Sequence, residues 1–305
     1  NATDALRFSL WGIGPGDEVL VSDFSWISTS SCISMVGATP VFCDIGLHSY
    51  HISLDSIKRM TTNKTKALIY THLYGSMSDT KEIEEWCINN GIRFIEDAAQ
   101  SLGSSLNGRK AGTIGECSSY SFNGNKVVAG ISGGGMFMTD NKEHADYVKR
   151  VRRHGKDKDF GELGYNSKMF ITNADIIQYR LTQMPKWQEK RNEIAAIYTK
   201  ELKYDVICQN VPVALEHNFH KFVIRFEDKE QRKRVKDGLK SIGLNASIHY
   251  EKPLSQNSLY IKEYHRKDNC TNSQIASDTV MSLPIHAWLT DEEIDKICNT
   301  ILMLS

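Results

Sequence analysis

The sequence predicts an α/β protein with a mostly parallel central sheet, followed by a smaller α+β unit. Three observations carry this. Residues 1 to about 155 alternate short β-rich runs with helical patterns, the order that a parallel sheet with helical crossovers requires. From about residue 205 the order changes to strand, amphipathic helix, strand and closing helix. A length of 305 residues is enough for one large core and a smaller second one. The expected division is 1–204 and 205–305.

The elements follow in order. Thr3-Asp4-Ala5-Leu6-Arg7-Phe8 begins a helix. The turn Gly14-Pro15-Gly16-Asp17 leads into a strand at 18–21, and Trp26 opens the helix after it. Further strands are expected at 40–44, 66–72, 93–97, 118–122 and 135–139, each an apolar or β-branched run. Between two of them, 79–90 is helical, with Ile83, Trp86 and Cys87 on one face. Residues 142–153 form a polar helix, and 155–168, rich in glycine and charge, a loop. A long helical region covers 172–203, and Pro185 should break or kink it, because proline lacks the N–H and clashes with the preceding turn. Strands at 222–226 and 245–250 flank a helix at 229–242. A last helix, 290–302, starts at Thr290 with Glu293 at the capping-box position.

Composition narrows the function. Hydrophobic residues are 40%, charged residues 24%, and the formal net charge is zero, so nothing suggests nucleic acid or an anionic membrane as partner. The basic stretch Lys149-Arg150-Val151-Arg152-Arg153 reads as a solvated helix face. No run approaches the roughly 18 apolar residues of a membrane span. The seven cysteines are scattered and never form a C-x-x-C pair, which argues against a disulfide framework or a zinc site and fits a cytoplasmic location. The opening Asn1-Ala2-Thr3-Asp4 has none of the features of a signal peptide and reads as the interior of a longer chain.

Ligands of parallel sheets sit at the carboxyl ends of strands, and there the chemically interesting residues collect. Lys126 follows the strand at 118–122 in Asn123-Gly124-Asn125-Lys126. A lysine on such a loop is a nucleophile if its pKa is lowered, although most lysines are surface. Asp97 ends an apolar strand; it either pairs with a buried cation or caps the next helix. Gln100 lies one helical turn later. Trp26 offers an indole for stacking or for the core. Thr3 and Asp4 stand at a helix N-terminus, whose free N–H groups suit phosphate, and Ser121 adds a hydroxyl. The run Gly133-Gly134-Gly135 lets backbone approach closely. An aldehyde-reactive lysine, an acid for a pyridine nitrogen, an aromatic face, a partner for a ring oxygen and phosphate donors are what pyridoxal 5'-phosphate (PLP) needs.

Together these segments resemble the DegT/DnrJ/EryC1/StrS family of sugar aminotransferases. The resemblance runs through Ala2-Thr3-Asp4-Ala5-Leu6, Gly14-Pro15-Gly16-Asp17-Glu18-Val19, Gly37-Ala38-Thr39-Pro40-Val41-Phe42 and His72-Leu73-Tyr74-Gly75. It continues in Ile95-Glu96-Asp97-Ala98-Ala99-Gln100-Ser101, Gly112-Thr113-Ile114-Gly115, Ser121-Phe122 to Lys126, Arg153-His154-Gly155 and Gly164-Tyr165-Asn166-Ser167-Lys168-Met169, and ends with Leu283-Pro284 ahead of Leu289-Thr290. It implies the aspartate-aminotransferase-like fold type I and a homodimer. It also implies PLP on Lys126 as a Schiff base, Asp97 at the pyridine nitrogen, Trp26 on the ring and Gln100 at its oxygen. Thr3, Asp4 and Ser121 would hold the phosphate, and Asn166 would reach the neighbouring subunit's phosphate. The implied substrates are L-glutamate and a nucleotide-linked keto-6-deoxyhexose, aminated at C4 on the way to glycan amino sugars.

Three departures bear on substrate more than on cofactor. Ser132-Gly133-Gly134-Gly135 replaces a usual Gly-Glu-Gly-Gly, Lys168-Met169 replaces Arg-Met, and Ser255 stands where His is common. A sugar dehydratase of this fold has His in place of Lys126. A nicotinamide enzyme would need a glycine fingerprint after its first strand, and a non-catalytic relative would lose Lys126 or Asp97.

Overall fold

The computed structural model describes residues 1–156 and 161–305; part of the loop expected at 155–168 lies outside the described residues. The helices are α1 (Ala2–Ser9), α2 (Ser28–Met35), α3 (Leu54–Met60), α4 (Lys81–Asn89), α5 (Lys142–Val151), α6 (Ile171–Leu202), α7 (Lys229–Ser241), α8 (Ser258–Lys262), α9 (Thr271–Thr279) and α10 (Asp291–Leu304). The strands are β1 (Glu18–Ser22), β2 (Thr39–Cys43), β3 (Thr65–Thr71), β4 (Arg93–Asp97), β5 (Ser105–Leu106), β6 (Arg109–Lys110), β7 (Cys117–Ser121), β8 (Gly135–Met138), β9 (Ile207–Cys208), β10 (Leu215–Glu216), β11 (Phe222–Arg225), β12 (Arg266–Lys267) and β13 (Val280–Leu283).

Seven strands form the central sheet in the order β12-β2-β1-β3-β4-β7-β8. All neighbours are parallel except the β7–β8 edge pair, so the fold is the expected mostly parallel α/β sheet. Strands covered on both faces must be apolar on both faces, and the side chains divide by alternation. Val19, Val21, Phe42, Ile69 and Ile95 pack on one side with Leu6 and Ile33 of α1 and α2. Leu20, Val41, Leu68, Tyr70 and Phe94 pack on the other with Ile57 and Ile83 of α3 and α4. Each fully buried aliphatic residue contributes about 1.5–3 kcal/mol; truncating Ile69, which has no exposed surface, costs about 2–5 kcal/mol.

A second sheet, β13-β11-β9, is antiparallel. Phe222 and Ile224 of β11 and Val235 of α7 share a core with Ile294 and Ile297 of α10. The capping box of Thr290 and Glu293 is present. The chain also returns to the first sheet: β12 pairs with β2, and Leu254 and Tyr260 enter the core beneath it. No helix among the described residues is long and apolar enough to cross a membrane.

Two expectations are corrected. Pro185 does not break the long helix, which runs continuously as α6 through it. Ile177 is anchored in one core and Ile194, Ala195, Tyr198 and Leu202 in another, so packing on both sides outweighs one missing backbone hydrogen bond. The strand expected at 245–250 reduces to a single bridge, Ser247 with Ser282. Beyond it the His249 ring bonds the Ser282 hydroxyl, and Tyr250 faces a cavity rather than a neighbouring strand.

Candidate active site

The carboxyl ends of β4 and β7 and the N-terminal ends of α1 and α2 meet at a cavity of about 390 Å³. Six of the eight residues singled out in the sequence line it: Thr3, Trp26, Asp97, Gln100, Ser121 and Lys126. Asp4 and Asn166 do not. They line an adjoining groove of about 640 Å³, which shares Asn1, Ser132, Gly133 and Gly134 with the cavity.

Asp97 ends β4, and its carboxylate is buried. Oδ2 accepts from the Thr29 hydroxyl at 2.7 Å and Oδ1 from the Ala99 N–H at 3.1 Å. Each of its two oxygens thus has a donor. Lys126 sits after β7 in a tight turn, where its N–H donates to the Asn123 carbonyl at 2.9 Å. Burial pushes the Lys126 ammonium down to about 8; Asp97 pulls it back up, and Lys221 pushes it down further. An amine near 8 is a usable nucleophile and proton carrier at neutral pH.

Trp26 stands just ahead of α2 and is 57% exposed, an indole presented to the cavity rather than spent in the core. Its nearest ring partner is Tyr250, with centroids 6.1 Å apart. The Gln100 amide is held from both ends: Oε1 accepts from the Tyr74 N–H at 2.9 Å, and Nε2 donates to the Tyr250 hydroxyl at 3.0 Å. Among the described residues, the second N–H of that amide has no acceptor. Thr3, in the first turn of α1, donates to Ser28 Oγ at the start of α2 at 2.9 Å, so hydroxyls and two helix N-termini converge where an anion is favoured. Gly135 makes this convergence possible. A Cβ there would lie 2.2 Å from the Asn1 carbonyl carbon and 2.4 Å from the Ala2 nitrogen, so only glycine lets β8 pass the start of α1.

Asp4 is otherwise engaged. Its carboxylate accepts from Arg7 Nη2 at 2.8 Å, Ser167 Oγ at 2.6 Å and Asn1 Nδ2 at 3.1 Å, which ties α1 to the 166–168 segment. Asn166 forms an isolated bridge with Arg153. His249 also lines the cavity. His72 is a scaffold residue, with Nε2 2.8 Å from Glu96 Oε1 inside the fold. The sequence reading missed His220, Lys221 and Tyr250, which also line the cavity. The dense titratable run His217-Asn218-Phe219-His220-Lys221 ahead of an apolar strand was the available signal.

The donor set is an ammonium with a lowered pKa, a buried carboxylate, an open indole, and hydroxyls at paired helix N-termini. It suits an aldehyde, a basic ring nitrogen, a flat aromatic ring and a phosphate, the four parts of PLP. A model of the DegT/DnrJ/EryC1/StrS aminotransferase family matches residues 1–302. The chain belongs to the DegT/DnrJ/EryC1/StrS aminotransferase family. Among relatives in this family, a Geobacillus stearothermophilus "pleiotropic regulatory protein" is 32% identical, over 99% of this chain and 82% of its own length. The UDP-N-acetyl-3-dehydro-alpha-D-glucosamine 3-aminotransferase of Acidithiobacillus ferrooxidans is also 32% identical, over 99% and 82%. The solved apo form of the putative sugar aminotransferase Spr1654 from Streptococcus pneumoniae superposes with a TM-score of 0.93 at 26% identity, over 99% of this chain and 84% of that one. The same protein has been solved in PLP and PMP forms. Fold type I is thereby the architecture of this chain, and the family points to PLP as cofactor.

Proposed function

We propose that this chain is a PLP-dependent aminotransferase that moves an amino group from L-glutamate to a nucleotide-linked keto-sugar, acting as a homodimer. The observation that carries the reading is the meeting of Lys126 and Asp97 in one cavity that Trp26 also lines. Lys126 would hold the cofactor's aldehyde carbon covalently, Asp97 its pyridine nitrogen, Trp26 its ring, and Thr3, Ser121 and the N-termini of α1 and α2 its phosphate. Bound PLP supplies an electron sink for a carbanion at the amino-bearing carbon. The protein supplies the rest. Once the donor's amine has replaced Lys126 on the cofactor's aldehyde carbon, the freed Lys126 amine would take the donor's α-proton and later return it, as general base and then acid. Asp97 would hold a proton on the cofactor's ring nitrogen.

The homodimer is supported by apolar surface at the groove. Met136 is 44% and Phe170 78% exposed, and both line it beside Asn166; apolar surface of this kind marks an interface. Asn166 would then serve the partner's phosphate.

The sequence pattern favours a 4-keto-6-deoxyhexose as acceptor. The name of the A. ferrooxidans relative favours a second reading, amination at C3. Offering both keto-sugars and locating the new amine in the product separates them. The cofactor reading is tested by the visible spectrum with PLP, before and after borohydride, followed by peptide mapping. A yellow band that disappears on reduction, with the label on the Lys126 peptide, is expected. A folded protein that gives neither band nor label would sink the reading.

A further inference from the structure

A second cavity of about 380 Å³ adjoins the first, and the two share a wall made of His220, Lys221 and His249. Lys221 stands at the start of β11 and is half-buried. Its backbone N–H is used, donating to the Tyr74 carbonyl at 3.1 Å. Among the described residues, no carboxylate pairs with its ammonium. Burial and the charge of Arg191 both disfavour its protonated form, and Arg191 itself donates to the Phe219 and Ile285 carbonyls instead of an acid.

The wall around it offers no compensation. Burial keeps His220 well below its usual range, and burial, then Lys221 and Lys126, hold His249 at about 4, so both rings are neutral at pH 7 and lend no negative charge. Glu293 lines the second cavity, where its Oε2 accepts from the Thr290 N–H at 2.9 Å and the Thr290 hydroxyl at 3.2 Å rather than from Lys221. A partly desolvated cation without a counter-ion is unfavourable. Facing a reaction cavity, it becomes favourable when a ligand brings the anion.

We propose that Lys221 is a specificity-determining residue that pairs with a carboxylate of the substrate, at the wall between the two cavities. The inference rests on the transamination reading of the Lys126 cavity. Two sources carry that chemistry: the amino donor, or a sugar acid on the nucleotide sugar.

The test compares wild-type, Lys221→Met and Lys221→Arg holoenzymes. Binding of glutarate, a dicarboxylate probe, is measured by calorimetry. The two half-reactions are followed separately, with glutamate, with a nucleotide keto-deoxyhexose and with a nucleotide keto-uronate. Losing a charge-assisted bond predicts a roughly ten- to hundred-fold weakening in Lys221→Met, largely restored in Lys221→Arg. A higher KM for glutamate, with weaker glutarate binding and unchanged sugar KM, places the donor's carboxylate on Lys221. A higher KM for the keto-uronate alone places the sugar acid there. Unchanged constants for every substrate overturn the proposal. So does an equal loss for both nucleotide sugars with glutamate unaffected, since that assigns a phosphate to Lys221. Thermal melting of Lys221→Met at or above the wild-type temperature shows that the fold is intact, and Lys221→Gln is the second variant should it fall. A wild-type enzyme without the glutamate half-reaction refutes the transamination reading itself, whatever Lys221 does.

Discussion

The Thr29 hydroxyl, in the first turn of α2, donates to Oδ2 of Asp97 at 2.7 Å, and Ser25 Oγ backs it at 3.0 Å. The strand that delivers the acid is thus braced by the helix that follows Trp26. Replacing Thr29 by Val keeps the volume and removes the donor, leaving Asp97 with the Ala99 N–H alone on the protein side. Loss of a hydrogen bond to a charged group costs about 1.5–3 kcal/mol. The expected outcome is PLP affinity reduced by about tenfold or more, read by titrating the apoprotein with cofactor. Unchanged affinity would show that the brace is dispensable.

Lys126 gives a pH-dependent prediction for the cofactor-free protein. Its folded pKa of about 8 lies below the ordinary 10.5, so the unfolded chain binds the proton more tightly and charged Lys126 opposes folding. That penalty is complete below pH 8, shrinks as the pH rises toward 10.5 and is absent above it. Lys126→Met is therefore expected to melt at a higher temperature than wild type at pH 7, with the difference closing by pH 10.5. It is also expected to lose all transamination. A melting difference independent of pH would contradict the assignment of the shift to this lysine.

Glu96, next to Asp97, has no exposed surface. It accepts from the N–H groups of Gly112, Ile114 and Gly115, each at 2.7 Å, and lies 2.8 Å from His72. Burial alone would raise its pKa, but the His72 contact and these amides outweigh burial and hold it below 4.5. Its stabilisation is present above pH 4.5 and is lost as the pH falls through the lower folded value. Glu96→Gln is expected to cost about 3–5 kcal/mol at pH 7, with the gap to wild type narrowing in acid. Denaturant titrations at several pH values measure it.

Ser255, one of the departures from the family pattern, is buried against Asp23. Its N–H and hydroxyl donate to the two carboxylate oxygens at 2.6 and 2.9 Å. Burial pushes Asp23 up to about 6 from 3.8; its contribution to stability is therefore greatest below pH 3.8 and falls as the pH rises through 6. Ser255→Ala is expected to cost about 1–3 kcal/mol above pH 6, where the ionised oxygen loses its donor. Below pH 5 the cost should be smaller. A cost that does not vary with pH would mean that Asp23 is not the group affected.

Much of the scaffold was legible because a buried parallel strand shows as a continuous apolar run. Val19-Leu20-Val21 and Phe94-Ile95 could be little else, and their carboxyl ends led to Asp97 and, after β7, to Lys126. The C-terminal wall was harder to read. His220, Lys221 and Tyr250 reach the cavity only through tertiary packing, and local periodicity carries no record of which strand end a distant loop will cover. At 245–250 a strand was expected, but only Ser247 finds a partner in β13. Pro185 was over-weighted because a local rule about one hydrogen bond ignores the two cores that hold α6.

The neighbours Glu96 and Asp97 divide their labour by pleat: one carboxylate secures the 112–115 loop, and the next faces the cavity. Side chains alternate strictly along a strand, so a slip of one position would turn both carboxylates to the opposite face. A slip one way would bring Glu96 to the cavity and Ile95 to the loop, and a slip the other way Asp97 to the loop and Ala98 to the cavity. The alignment of β4 between β3 and β7, with Asp97 beside Thr71 and Ser119, therefore acts as a phase setting. An insertion or deletion anywhere along β4 would silence the site while leaving its composition intact.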